Sequence, residues 1–260
     1  MNFALQLSAS GVLTSMYRQD VLSNNLANVD TVGYRPDIAA TRMRDPVRRE
    51  DSIMHMPSNR LLERLGAGVL VQPSRTSTAQ GPIEKTSNPL DLAIEGPGFF
   101  VVQVATGNDD DRLRLTRDGR LTLDSERWLV QATTGHPILD HAGNRIRIDS
   151  DAGPVRIDPD GTIRQPGGVV ARLQFIDVPD PSSLQKTGNG YFRPDAVQAS
   201  SLLPASGRIQ ARAVERSSVD PIKAIMGITD AASDVASNTR MMQLTDELTG
   251  RLINSVGRVA

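Results

Sequence analysis

Hydrophobic positions divide the chain into three zones of different period. Leu5, Ala9, Val12 and Met16 recur at steps of 4, 3 and 4, and Leu22, Leu26 and Val29 resume that spacing. Steps of three and four predict an amphipathic helix over residues 3–28, with a break or rotation of the stripe at Asp20. The helix is expected to stop near Asn28, because Asn28-Val29-Asp30-Thr31-Val32-Gly33 combines turn formers with a glycine able to take left-handed angles. Tyr34-Arg35-Pro36 reads as extended, since the residue before a proline avoids helical angles.

Residues 37–79 carry Arg42, Arg44, Arg48 and Arg49 interleaved with Asp45, Glu50 and Asp51, with no sustained period, and read as a linker or arm. From about Asp91 to Arg193 the period becomes two: Leu92 and Ile94, Phe99 to Val104, Leu113 and Leu115, Leu121 and Leu123, Ile146 and Ile148, Val155 and Ile157, Leu173 and Phe175. Asp118-Gly119 and Asp160-Gly161 fall between such runs, and Asp-Gly supplies the positive φ angles of tight hairpins. Many short strands punctuated by Gly and Pro predict an antiparallel barrel or sandwich.

The last zone is helical again. Asp220 is a good N-cap and Pro221 suits the first helical position; Ile225, Ile228, Ala232, Val235, Thr239 and Met242 follow at steps of three and four. Met241, Leu244, Leu248, Leu252 and Val256 form an adjoining stripe. A helix over 221–256 would be roughly 50 Å long, more than a small domain needs. Ala231, Ala232, Ser233, Ala236 and Ser237 would let another backbone approach closely.

These zones predict a mixed fold. The N- and C-terminal amphipathic helices pair as a coiled-coil-like hairpin, and a central all-β domain, barrel-like or sandwich-like, stands between them. The expected segments are 1–35 (helix and exit turn), 36–89 (extended arm), 90–205 (β-rich domain), 206–220 (return linker) and 221–260 (C-terminal helix). Two helices alone cannot cover their apolar stripes, so other subunits are expected to do so.

Composition narrows the function classes. Lys+Arg of 29 against Asp+Glu of 30 gives a net charge of −1, which removes a chain-wide electrostatic case for nucleic acid or an anionic membrane. Hydrophobic residues at 38% fall below the usual range of about 45–50%, although that range also counts glycine, which adds 21 residues here, and a thin core is expected. Cysteine is absent, which excludes disulfides, thiolate nucleophiles and Cys-based metal sites. No run of about 18 apolar residues occurs, and the first twenty residues lack the basic start and apolar stretch of a cleaved Sec signal.

Candidate chemistry is sparse. Gly96-Pro97-Gly98 begins like a dinucleotide fingerprint, but the third glycine is missing and Phe99-Phe100-Val101-Val102 continues as a strand. His136, Asp140 and His141 read as loop residues, with His55 the only other histidine, and Asn108-Asp109-Asp110-Asp111 as a solvated hairpin tip lacking the spaced ligands of a calcium loop. With no G-x-S-x-G, P-loop or H-E-x-x-H motif, we expect no enzyme, no catalytic or metal residues and no cofactor.

Ser23-Asn24-Asn25-Leu26-Ala27-Asn28-Val29-Asp30-Thr31-Val32-Gly33-Tyr34 resembles the N-terminal signature of the bacterial flagellar basal-body rod proteins, a family that includes the hook protein. The run from Leu90 to Val102 is similar to that family's entry into its β-domain, and Leu115-Thr116-Arg117-Asp118-Gly119 to the hairpin that follows. Val214-Glu215-Arg216-Ser217-Ser218-Val219-Asp220-Pro221 resembles the opening of the family's last helix, although the aromatic often found midway along that helix is missing around Thr239–Met242.

The resemblance implies a structural subunit of the flagellar rod, polymerising through its terminal helices into the drive shaft that carries torque from motor to hook. The run Gly135–Leu139, followed by Ile157–Ile163, looks more like the proximal-rod member, with a distal-rod or hook-type subunit as the alternative; Ser200–Gly207 is at best a short version of the Gly-rich segment of distal-rod proteins. Implied partners are copies of the chain, other rod subunits, hook-proximal and rotor-proximal basal-body components and the flagellar export apparatus, with no nucleic acid and no membrane insertion. The implied place is the periplasmic rod, reached without a cleaved signal. Subunit-interface candidates are Leu5, Val12, Met16, Leu22, Asn24, Asn25, Leu26 and Asn28 at the front, and Ile225, Ile228, Ala232, Val235, Met242, Leu244, Leu248 and Leu252 at the back. The arginines from Arg42 to Arg49 are candidates for charge pairing to a neighbour. A rival from another class is a periplasmic β-domain that binds or cleaves a cell-wall glycan.

Overall fold

The computed structural model describes residues 3–45, 68–104, 113–181, 184–194 and 203–256. The chain divides into two compact units. The first holds residues up to Ala27, Asp37–Arg75 and Asp220 onward; the second holds Asn28–Pro36 and Thr76–Val219.

In the first unit, helix α1 spans Phe3–Ala27 and helix α2 spans Pro221–Val256, and the two contact each other. Helix α1 is continuous through Asp20, and the break or rotation of the stripe expected there is not seen in its covered face: Asp20 faces solvent while covered positions continue at Gln19 and Leu22. Asp220 caps α2: its Oδ1 accepts from the Ile222 and Lys223 N–H groups at 3.1 and 3.2 Å, and its carbonyl accepts from Ala224 N–H at 3.0 Å. The Lys223 N–H foremost, with that of Ile222, holds the Asp220 carboxyl below its ordinary value.

Strands β1 (Asp37–Met43) and β2 (Val69–Thr76) pair with each other, within the stretch that shows no sequence period. Most of their positions are exposed or half-buried, so no alternating apolar face marks them. They are held by backbone groups: Tyr17 Oη donates to Gln72 O at 3.0 Å, and Asn25 grips Asp37 by Nδ2 to its carbonyl (2.7 Å) and Oδ1 from its N–H (2.9 Å).

The second unit is β-rich, as its period-two zone predicts. Its strands are β3 (Ile83–Lys85), β4 (Leu92–Glu95), β5 (Phe99–Gln103), β6 (Leu113–Thr116), β7 (Leu121–Leu123), β8 (Leu129–Gln131), β9 (Arg156–Ile157), β10 (Thr162–Gln165), β11 (Gly168–Arg172), β12 (Phe175–Asp177), β13 (Gln185–Gly188), β14 (Tyr191–Arg193), β15 (Leu203–Pro204), β16 (Arg208–Ala211) and β17 (Ala213–Glu215). A six-stranded sheet has the order β13-β14-β6-β5-β12-β15; a three-stranded one is β11-β10-β9; β16-β4, β17-β3 and β7-β8 are two-stranded. Each of these pairings is antiparallel.

Strand β5 is the centre. Phe100 and Val102 point into a core with Leu92, Ile94, Leu129 and Ile163, while Phe99 and Val101 point into a second with Leu115, Ile176 and Phe192. Its unbroken apolar run is what a strand buried on both faces requires. Asp160-Gly161 makes the expected turn between β9 and β10, with Gly161 at φ +83. Asp118-Gly119 does not make a hairpin, because β6 pairs with β5 and β14 while β7 pairs with β8. Gly119 is needed for a close approach: a Cβ there would lie 1.9 Å from Leu92 O. The Asn108–Asp111 tip, Arg48, Arg49, Glu50, Asp51 and Ser200–Leu202 lie outside the described residues.

Candidate subunit-interface site

The covered faces of the two long helices follow one rule. On α2, Ala224, Ile228, Ala231, Val235, Asn238, Met242, Thr245 and Thr249 are buried or half-buried, at alternating steps of four and three. On α1, Leu5, Ser8, Val12, Ser15, Gln19, Leu22 and Leu26 do the same. An alternating four-three pattern is a repeat of 3.5 residues. Gly227 lies against Leu22 and Gly11 against Asn238; eleven residues forward on α1 match eleven back on α2, so the helices run antiparallel. Ala231 is fully buried, and side chains this small let two backbones close in.

Helix α2 outlasts α1. It has 36 residues against 25, an excess of about 16 Å. The register that seats Gly11 on Asn238 places Phe3 near Asp246, so the last turns of α2 run past the end of α1. Leu248, Leu252 and Ile253 there are 60%, 64% and 67% exposed. Leu244 and Met241 extend that exposed apolar surface along α2; Ile225 and Met226 are exposed near its start, and Leu7, Leu13 and Met16 on α1. Several neighbouring apolar side chains facing water on one helix mark an interaction surface.

The sequence candidates therefore separate. Leu5, Val12, Leu22, Leu26, Ile228, Val235 and Met242 lie on the covered seam. Met16, Asn24, Ile225, Ala232, Leu244, Leu248 and Leu252 are exposed. Asn25 is buried on Asp37, and Asn28 belongs to the exit turn, where its Oδ1 accepts from Thr31 Oγ1 at 3.2 Å. Of the arginine arm, Arg42 and Arg44 are described and exposed.

A second constellation, which sequence reasoning missed, lies in the β-rich unit. The exit turn Asn28–Pro36 sits in that unit: Gly33 N–H donates to Glu215 O at 2.7 Å, Ser218 N–H donates to Tyr34 O at 3.2 Å, and Lys186 Nζ lies 4.4 Å from the centre of the Tyr34 ring. Gly33 has φ +69, and a Cβ there would meet the Arg117 carbonyl carbon at 2.6 Å, so it is required twice over. Beneath it Glu215 joins two arginines: Arg117 Nη1 is 2.9 Å from Oε2 and Arg35 Nη2 is 3.5 Å from Oε1, with all three side chains at least 94% buried. Glu215 Oε1 also accepts from Gly81 N–H at 3.1 Å, and Arg117 Nη2 donates to Gly96 O at 2.8 Å. Arg35 Nη1 donates to Thr78 O and Ala79 O.

Burial pushes Arg35 down to about 10; the Arg117 charge adds to that, and Glu215 opposes it. Burial lowers Arg117 too, against the attraction of Glu215 and Asp177. The signal in the sequence was available: Arg117 and Glu215 lie inside family-like blocks and Arg35 lies one residue beyond another.

Comparison with known proteins joins these observations. Residues 5–35 match the model described as flagella basal body rod protein, and residues 93–165 match the flagellar hook protein FlgE/F/G D1 domain. The chain is 31% identical to flagellar basal-body rod protein FlgF of Caulobacter vibrioides over 261 residues, covering 100% of both chains. It is 29% identical to flagellar hook-basal body complex protein FlhP of Bacillus subtilis, covering 96% of this chain and 98% of that one. Flagellar basal-body rod protein FlgG of Buchnera aphidicola subsp. Schizaphis graminum is 26% identical, with the same coverage. These are structural rod proteins, not enzymes, and with its rod helix, β-rich middle and long final helix the chain belongs to the flagellar basal-body rod protein family.

Proposed function

We propose that the chain is a proximal-rod subunit that polymerises through its terminal helices, carrying torque along the periplasmic shaft between rotor and hook. The observation that carries this is the exposed apolar stripe Leu244, Leu248, Leu252 on a helix that runs past its partner. A stripe of that kind is stable only when other helices cover it. The 3.5-residue repeat on both covered faces supports coiled-coil packing of α1 with α2, and a polymer would extend the same packing between copies and other rod subunits. The β-rich unit then adds girth and torsional stiffness. Hook-proximal and rotor-proximal components are its neighbours at the rod's ends. Passage through the flagellar export apparatus suits helices that complete their burial only on assembly. The proximal position rests on the likeness of Gly135–Leu139 and Ile157–Ile163 to the proximal-rod member.

Leu248→Asp tests the proposal. Leu248 is exposed, so the monomer should keep its helical circular dichroism and thermal transition, whereas motility and rod incorporation should be lost. Normal swarming and normal incorporation of the variant into purified basal bodies would overturn it. Cryo-electron microscopy of those basal bodies places the chain at the proximal or distal end.

A further inference from the structure

Met241 and Met242 are neighbours on α2 in opposite surroundings. Met242 is half-buried on the seam with α1, whereas Met241 is 58% exposed. Met241 precedes Leu244 by three residues and Leu248 by seven, which sets all three on one face of the helix, within the exposed apolar surface that the proposed polymer covers. Met16, Met43 and Met226 are exposed as well, but they lie away from the last turns of α2. Met241 thus faces water in the free subunit and a neighbouring helix in the rod.

Its sulfur is open to oxidation only in the first of these states. Cysteine is absent, so thioethers are the sulfur groups of the protein and no thiol competes with them for an oxidant. Hydrogen peroxide transfers one oxygen to an accessible thioether: the S–O bond forms as the O–O bond breaks, sulfur gives up two electrons, and the peroxide leaves as water. The product is a polar sulfoxide where the side chain was apolar. In the free subunit water solvates that oxygen. Beneath a neighbouring helix it would be enclosed beside Leu244 and Leu248, neither of which has a side-chain donor for it, and an acceptor buried without a donor opposes docking. We propose that Met241 is a reversible oxidation site whose sulfoxide keeps the free subunit out of the rod. A methionine sulfoxide reductase would return the thioether and with it the docking surface. The consequence for assembly rests on the polymer proposed above.

The experiment uses the full chain. Treated in solution with dilute hydrogen peroxide and read by tandem mass spectrometry, it should gain oxygen at Met241 several-fold faster than at Met242, while its helical circular dichroism and thermal transition stay as they were. Equal rates at the two positions would overturn the site. In cells, Met241→Gln, which puts a polar side chain in place of the thioether, should lower incorporation into purified basal bodies at least several-fold, and Met241→Leu should incorporate as the native chain does. Peroxide supplied during rod assembly should deplete the native chain from new basal bodies several-fold more than Met241→Leu. Normal incorporation of Met241→Gln, or equal depletion of the native and Met241→Leu chains, would overturn the exclusion. Loss of incorporation in Leu248→Asp beside normal incorporation of Met241→Gln would refute the oxidation proposal and leave the polymer standing; normal incorporation of both variants would overturn the polymer too.

Discussion

Removing Glu215 should cost more stability than removing any exposed charge of this chain. Its side chain is 2% exposed and it is the shared counter-ion of Arg35 and Arg117, themselves 6% and 3% exposed. Glu215→Ala leaves two buried guanidiniums facing each other and strips Gly81 N–H of its acceptor. Breaking a buried pair by deleting one partner typically costs about 3–5 kcal/mol, because the uncompensated charge stays buried. For a unit of this size each kcal/mol lowers the melting temperature by about 2–4 °C, so a fall of about 6–20 °C is expected. The assay is thermal and urea unfolding followed by fluorescence of Trp128, the single tryptophan, at the end of the β7–β8 hairpin. Arg117→Met alone should cost less, because Glu215 keeps Arg35 as a partner, and the double variant Arg117→Met/Glu215→Ala should cost less than the two singles combined, since only Arg35 is then left without its counter-ion. A Glu215→Ala chain within about 1 kcal/mol of native, or strictly additive singles, would refute the reasoning.

Two further expectations follow from local geometry. Gly33→Ala adds a Cβ 2.6 Å from the Arg117 carbonyl carbon at a φ of +69, and should destabilise the β-rich unit by about 2–4 kcal/mol, seen as a lower urea midpoint in the same fluorescence assay. The Asp220 cap makes the start of α2 acid-sensitive: its carboxyl is held below the ordinary 3.8, chiefly by the Lys223 N–H, so the cap's contribution is present above 3.8 and is lost as pH falls through the lowered folded value. Amide exchange at Ile222 and Lys223 should therefore accelerate in acid relative to the rest of α2, and Asp220→Asn should remove that dependence.

The long helices were legible because their determinants are local. Asp220-Pro221 sets a cap and a first turn from adjacent residues, and α2 then runs Pro221–Val256, the predicted span. Gly33 was legible for the same reason, a turn composition that only a left-handed glycine completes. The double-sided burial of β5 was implicit in Phe99-Phe100-Val101-Val102, since an apolar run without alternation has no face to give to water.

Asp118-Gly119 went the other way: its composition fits a hairpin, but a glycine can equally serve a close approach, and only the course of β4 past Gly119 reveals which. Strands β1 and β2 were silent because Tyr17 and Asn25 hold them through backbone atoms, which carry no sequence pattern.

By itself, then, the sequence determined where each long helix begins and ends, that the middle is built of short strands, and the family, because caps, turns and periodicity act between residues a few positions apart. Tertiary structure alone decided that Arg35, Arg117 and Glu215, successive members 82 and 98 positions apart, share one buried site, and which apolar positions of α2 remain uncovered. An ion pair needs only proximity in space, and the burial that gives it consequence is a property of the assembled unit.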